Sequence, residues 1–164
     1  MKRSVTAKQF FLTLNLTYYL QACSVLFFSL VVAFLISRST NSGTDTQMWG
    51  TVIPLVLIIS LVIAYSIFRM MVKRISKNFV LTKKMPMYAR AVLTRSVLLQ
   101  LPGFLAAIAG YITMQLYFIG GSILIFILFL ILKPTRVTIA NDLNLSVKER
   151  SLLENEQAIV SEVE

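Results

Sequence analysis

Residues 96–132 read SVLLQLPGFLAAIAGYITMQLYFIGGSILIFILFLIL, and the number of membrane passages they hold decides the fold. A helix rises about 1.5 Å per residue, so ~20 residues cross a ~30 Å hydrocarbon core. The stretch is too long for one passage and just long enough for two. Ser96–Met114 and Leu116–Leu132 each approach a full crossing, which leaves only Thr113, Met114 and Gln115 to turn the chain. A turn at Gly120-Gly121 instead would leave the last helix too short. Two helices joined by a tight turn is the reading.

Two further apolar runs precede this one, Phe10–Ile36 and Trp49–Phe68. Of the 164 residues 57% are hydrophobic, against roughly 45–50% in soluble domains, which places the chain in the membrane class. The expected fold is an all-α membrane protein with four transmembrane helices, at about 10–36, 49–68, 91–114 and 116–132. These form a transmembrane domain over 1–132, followed by an acidic tail over 133–164. The first helix exceeds a cleaved secretory h-region of about 7–15 residues and is expected to stay as an anchor. Cys23 lies in YLQACSVL, which resembles a lipoprotein cleavage box, but the apolar run continues to Ile36, and a plain buried cysteine is the expectation.

Charge orients the bundle. Lys2, Arg3 and Lys8 precede the first helix, Lys133 and Arg136 follow the fourth, and between the second and third lie Arg69, Lys73, Arg74, Lys77, Lys83, Lys84, Arg90 and Arg95. The opposite side has only Arg38. The positive-inside rule then puts the N- and C-termini in the cytoplasm, with a basic cytoplasmic linker at 69–90. That implies a multi-pass protein of the cell inner (cytoplasmic) membrane. The net charge of +9 is thus read as topology and contact with anionic headgroups, not nucleic acid. Apolar residues are interleaved in the linker, so a membrane-surface helix and a solvated loop are both open.

The tail holds six of the seven acids. SVKE at 146–149 matches a capping box and starts a short cytosolic helix over about Val147–Gln157, with Leu152, Leu153 and Ile159 as apolar contacts. A shorter helix is expected before it, near Thr135–Leu143, started by Pro134. An acidic tail beside a basic linker can dock there, serve as a tether for a protein partner through 137–164, or stay mobile. Exposed pairs give only ~0–1 kcal/mol each, so docking also needs apolar contact.

Chemistry is sparse. No His is present, the spans contain no Asp or Glu, and no metal spacing, nucleophile pair or phosphate loop is found. No cofactor, metal or catalysis is expected. The polar groups inside the spans read instead as packing. Thr13, Thr17, Gln21 and Ser24 form one stripe on the first helix, and Gln100, Gly103 and Ala107 another on the third. Both stripes sit at similar depth, which predicts parallel neighbours with Gln21 or Thr17 within hydrogen-bond reach of Gln100. Pro102 favours a kink. Arg95, about one turn inside the boundary, is expected to snorkel to phosphate, or to bind a headgroup or a tail acid. Tyr88, Lys83 and Lys84 are placed with it as interfacial or headgroup contacts.

The run KKMPMYARAVLTRSVLLQLPGF, the helix ending in KPTR and the tail DLNLSVKER together resemble a family of small uncharacterised bacterial four-helix inner-membrane proteins. The resemblance covers about residues 83–150 and implies no activity. Tyr88 and Arg95 fit its pattern, whereas Gln100 stands where the resemblance implies an acid. Two functions follow as expectations: an accessory, scaffold or complex-subunit role without catalysis, or a small oligomeric transporter or channel using the stripes of helices one and three. A homo-oligomer fits either.

Overall fold

The computed structural model describes residues 3–39, 47–76 and 79–163. In chain order these form strand β1 (Arg3–Thr6), helices α1 (Ala7–Arg38), α2 (Gln47–Lys73) and α3 (Leu81–Thr113), and a 3-10 turn at Leu116–Phe118. Helices α4 (Ile119–Ile131), α5 (Arg136–Asp142) and α6 (Val147–Glu154) and strand β2 (Ile159–Val163) complete it. The first three helices are long and apolar enough to cross a membrane. Leu116–Ile131 joins them as a fourth only when taken with α5, from which it is bent by 80°.

Three expectations need correction. The linker 69–90 is neither a surface helix nor a loop. Residues up to Lys73 extend α2 and those from Leu81 extend α3, leaving 74–80 as the connection, with Lys77 outside the described residues. The extension of α3 holds because Leu81, Met85, Tyr88 and Val92 recur on one face and are all buried. The chain is also not wholly α: β1 pairs antiparallel with β2, joining its two ends. Finally, α6 stops at Glu154, and Ile159, expected as a contact of that helix, lies exposed in β2.

The chain divides into two compact bodies. The terminal body comprises Met1–Tyr18, Ser66–Arg95 and Lys133–Glu164. It is built from both chain ends around the start of α3. Main-chain N–H groups of Ala7 and Lys8, orphans of the first turn of α1, donate to the carbonyls of Ala158 and Glu156. Thr6 and Gln9 add a reciprocal capping pair. The tail helices are capped by Thr135 and by the Ser146–Glu149 box. Ile139, Leu143, Leu145, Leu153 and Val160 are buried there.

The apolar body comprises Tyr19–Tyr65 and Ser96–Leu132. Its contacts run Ser24 to Gln100, Val25 to Gly103 and Phe28 to Phe104. Residue numbers rise together, so α1 and α3 run parallel. Between α3 and α4 they run oppositely, Gly103 meeting Ser122 and Ile125, and Ala106 meeting Gly121. The reversal at 113–115 ends α3 with Met114 in the left-handed region (φ 52°), where Gln115 N–H donates to Gly110 O and Met114 N–H to Tyr111 O. This is the double bond pattern of a Schellman end, with Met in place of the usual Gly.

Candidate functional site

In the terminal body, α3 aligns Lys84, Tyr88 and Arg95. Spacings of four and seven keep them within about 40° of one another at 100° per residue. All three are buried, Lys84 being 3% and Arg95 7% exposed. Each has a specific neighbour. Lys84 Nζ lies 2.5 Å from Glu149 Oε1. Tyr88 Oη donates to Asp142 Oδ2 at 2.7 Å, and its ring meets Phe68 edge-on at 6.0 Å between centroids. The Arg95 guanidinium carbon sits 4.3 Å from the Phe68 centroid, a cation–π geometry strengthened by exclusion of water.

Glu149 serves two purposes. Its Oε2 accepts from the Ser146 main-chain N–H and hydroxyl, closing the cap of α6, while Oε1 takes Lys84. Burial opposes its ionisation, but the bonds from Lys84 and Ser146 outweigh burial and hold the carboxyl below the usual glutamate range. The capping box was legible in the sequence. Its second partner, 65 residues away, was not.

This arrangement corrects the expected headgroup contacts. Lys84, Tyr88 and Arg95 face the protein interior and not an interface; Arg95 does not snorkel, because an aromatic wall is available inside. Of the four residues expected there, Lys83 is the exposed one, its ammonium 4.5 Å from the Phe79 centroid.

The polar stripes divide between the two bodies. In the apolar body Gln100 Nε2 donates to Ser24 Oγ at 2.5 Å, and Ser24 donates in turn to the Gln21 carbonyl. The partner of Gln100 is therefore the last member of the α1 stripe, not Gln21 or Thr17. A serine fits because its short arm leaves room for the longer amide. The Gln21 side-chain oxygen is buried and accepts no hydrogen bond among the described residues. Ser122 donates to the Gly103 carbonyl at 2.6 Å. A Cβ on Gly103 would lie 2.8 Å from Val25 Cγ1, so glycine is what permits this contact. Helix α3 continues through Pro102 without a break.

In the terminal body Thr17 donates to the Thr13 carbonyl, and both line a largely apolar cavity of about 580 Å3 beside Phe10, Leu14, Pro86 and Leu93. Cys23, expected to be buried, is exposed on α1.

No family model, no curated protein and no solved structure matches the chain. Function therefore rests on these contacts alone. Among the described residues no group of three or more His, Cys, Asp or Glu is placed to hold a metal ion. Three acids of the tail are engaged: Asp142 with Tyr88, Glu149 with Lys84, and Glu156 with Lys8 of α1 and with Arg136 of the tail itself. Sequence reasoning missed three parts of this fastening. β1 and β2 were signalled by the short β-branched runs RSVT and IVSEV, and the cap at Thr6–Gln9 by its spacing. The position of Phe68 beneath Arg95 left no sequence signal.

Proposed function

We propose that this is a four-span, multi-pass protein of the cytoplasmic membrane, with both ends in the cytoplasm, that acts without catalysis as a scaffold or subunit of a larger complex. The charge asymmetry supports the orientation. One observation carries the functional reading. The tail is fastened to α3 by two part-buried polar contacts, Lys84–Glu149 and Tyr88–Asp142, so the surface it turns outward is held in one shape. Three apolar residues of the tail stay exposed, Val137 at 70%, Val147 at 85% and Leu152 at 43%. A tail held in place that still leaves apolar groups exposed suits a protein partner. A loosely attached tail would have suited a tether.

The polar groups of the spans agree with this role. Gln100, Ser24 and Ser122 bond to one another or to main chain, the work of helix packing. The decisive experiment is purification of the full chain in mild detergent after in-cell cross-linking. A stoichiometric partner is expected, lost when Val137, Val147 and Leu152 are changed together to Ser while the tail stays protected from trypsin. Solute flux by the pure protein in liposomes, abolished by Gln100→Leu, would replace this reading with the channel.

A further inference from the structure

The sequence placed headgroup contact on Lys84 and Arg95, and the fold withdraws both into the interior. It puts a different pair of cations around a cavity. Between the last turns of α2 and the turn joining α5 to α6 lies a pocket of about 580 Å3. Arg69 and Lys73, four apart and therefore on one face of α2, line one wall; Asn141 and Asn144 line the other, with Ser76 at the rim. The geometry points to a binding site for a phosphoryl group, carried in the cell by a phospholipid headgroup.

The chemistry of the lining supports this ligand. A guanidinium and an ammonium supply charge, and two amides and a hydroxyl supply neutral donors, a combination that matches the several acceptor oxygens of a phosphate ester. Asp142 also lines the pocket, but its Oδ2 is committed to Tyr88 Oη, and two cations against one carboxylate leave the wall net positive. The C-terminal end of α2 would by itself repel an anion. That effect is reduced because the main-chain N–H groups of Arg74 and Ile75 already occupy carbonyls of its last turns.

Asn144 owes its place to backbone conformation. It adopts φ 48°, with Leu145 N–H donating to Ala140 O, so the chain reverses after α5 and brings both asparagines to the same cavity. Depth argues for a lipid. The apolar run of α2 ends at Phe68, which lines the pocket together with Arg69 and Lys73 after it, where a helix leaves hydrocarbon for headgroups.

The test is native mass spectrometry of the full chain released from nanodiscs of phosphatidylglycerol and phosphatidylcholine. One phosphatidylglycerol per chain is expected. Arg69→Gln with Lys73→Gln should lower its retention roughly tenfold or more, while Arg90→Gln with Lys148→Gln, an equal charge loss at exposed positions outside the pocket, should leave it unchanged. Trypsin protection of the tail in the first variant separates a lost pocket from a lost fold. Displacement of the lipid by millimolar inorganic phosphate would assign the same site to a soluble phosphate source; no displacement assigns it to lipid. Equal retention of diacylglycerol, which has no phosphoryl group, or an equal fall in both variants, would overturn the site.

Discussion

The two bodies solve the problem of buried polar groups in opposite ways. The apolar body keeps such groups few and satisfies them nearby: Ser24 and Ser29 return to their own helix, Ser122 reaches a facing main chain, and Gln100 makes a single side-chain bond. The terminal body instead buries ionised and phenolic groups and satisfies them from the far end of the sequence. In the first, close approach at small residues holds the helices. In the second, Lys84 and Tyr88 draw their hydrogen bonds from acids far along the chain, so the fold there is easier to break with one substitution.

That contrast predicts the largest effect at Lys84. Lys84→Ala leaves Glu149 without its cation, and because Glu149 is partly exposed and keeps its Ser146 bonds the cost is about 2 kcal/mol, between that of a surface and a buried pair. Trypsin cleavage at Lys148 and Arg150 should then accelerate on the order of thirtyfold, since cleavage follows the population of the open tail. Lys84→Met combined with Glu149→Gln keeps the cap and removes both charges, and should recover most of the protection. If Lys84→Ala alone leaves cleavage unchanged, the pair does not fasten the tail.

Next in size is Gly103→Val in the apolar body. The added side chain meets Val25 and Ile125 at distances that force the helices apart, for roughly 1–3 kcal/mol. Gly120→Ala, at a position with open space around it, is the neutral control. Thermal unfolding in detergent should lower the midpoint for the first and not for the second.

Acid tests the same contrast reversibly. Glu149 has a folded pKa below its unfolded one, so its contribution is complete above the ordinary glutamate range and is lost as pH falls through the depressed value. Protection factors of α6 amides, taken against the intrinsic exchange rate at each pH, should therefore be steady from neutral pH to about 5, then fall below about pH 4. Glu149→Gln should flatten that acid limb, while amides of the apolar body stay protected.

A smaller effect belongs to Gln100→Leu, which removes one bond to Ser24 for about 1 kcal/mol. The smallest belongs to Glu156→Gln. Its pairs with Lys8 and Arg136 are exposed and 3.5 and 3.6 Å long, so the unfolding midpoint should barely move, in keeping with ~0–1 kcal/mol for surface pairs.

Much of the apolar body was legible in the sequence. Hydrophobic length marks a helix without knowledge of its neighbours, and the tight turn at 113–115 follows from arithmetic on two apolar runs. The stripes at Gln100 and Ser24 were legible as faces because helical periodicity is local. Which member of the α1 stripe meets Gln100 was not, since it depends on the close approach that Gly103 allows. In the terminal body the Ser146–Glu149 cap and the two short tail helices could be read. The basic segment 81–90 looked like a linker because its charges are visible in sequence while the partners that bury them are not.

Composition and periodicity alone thus determined that the chain is helical and apolar enough for a membrane, where its polar stripes lie, and where α6 begins. Each of these depends on residues within a few turns of one another. Only the tertiary structure decided that Lys84 and Arg95 turn inward, that the two ends pair as strands, and that Arg69 and Lys73 share a pocket with the α5–α6 turn. A charge has the same sequence whether it meets water, a lipid or a carboxylate 65 residues away. Burial and partner decide its role, and both are properties of the folded chain.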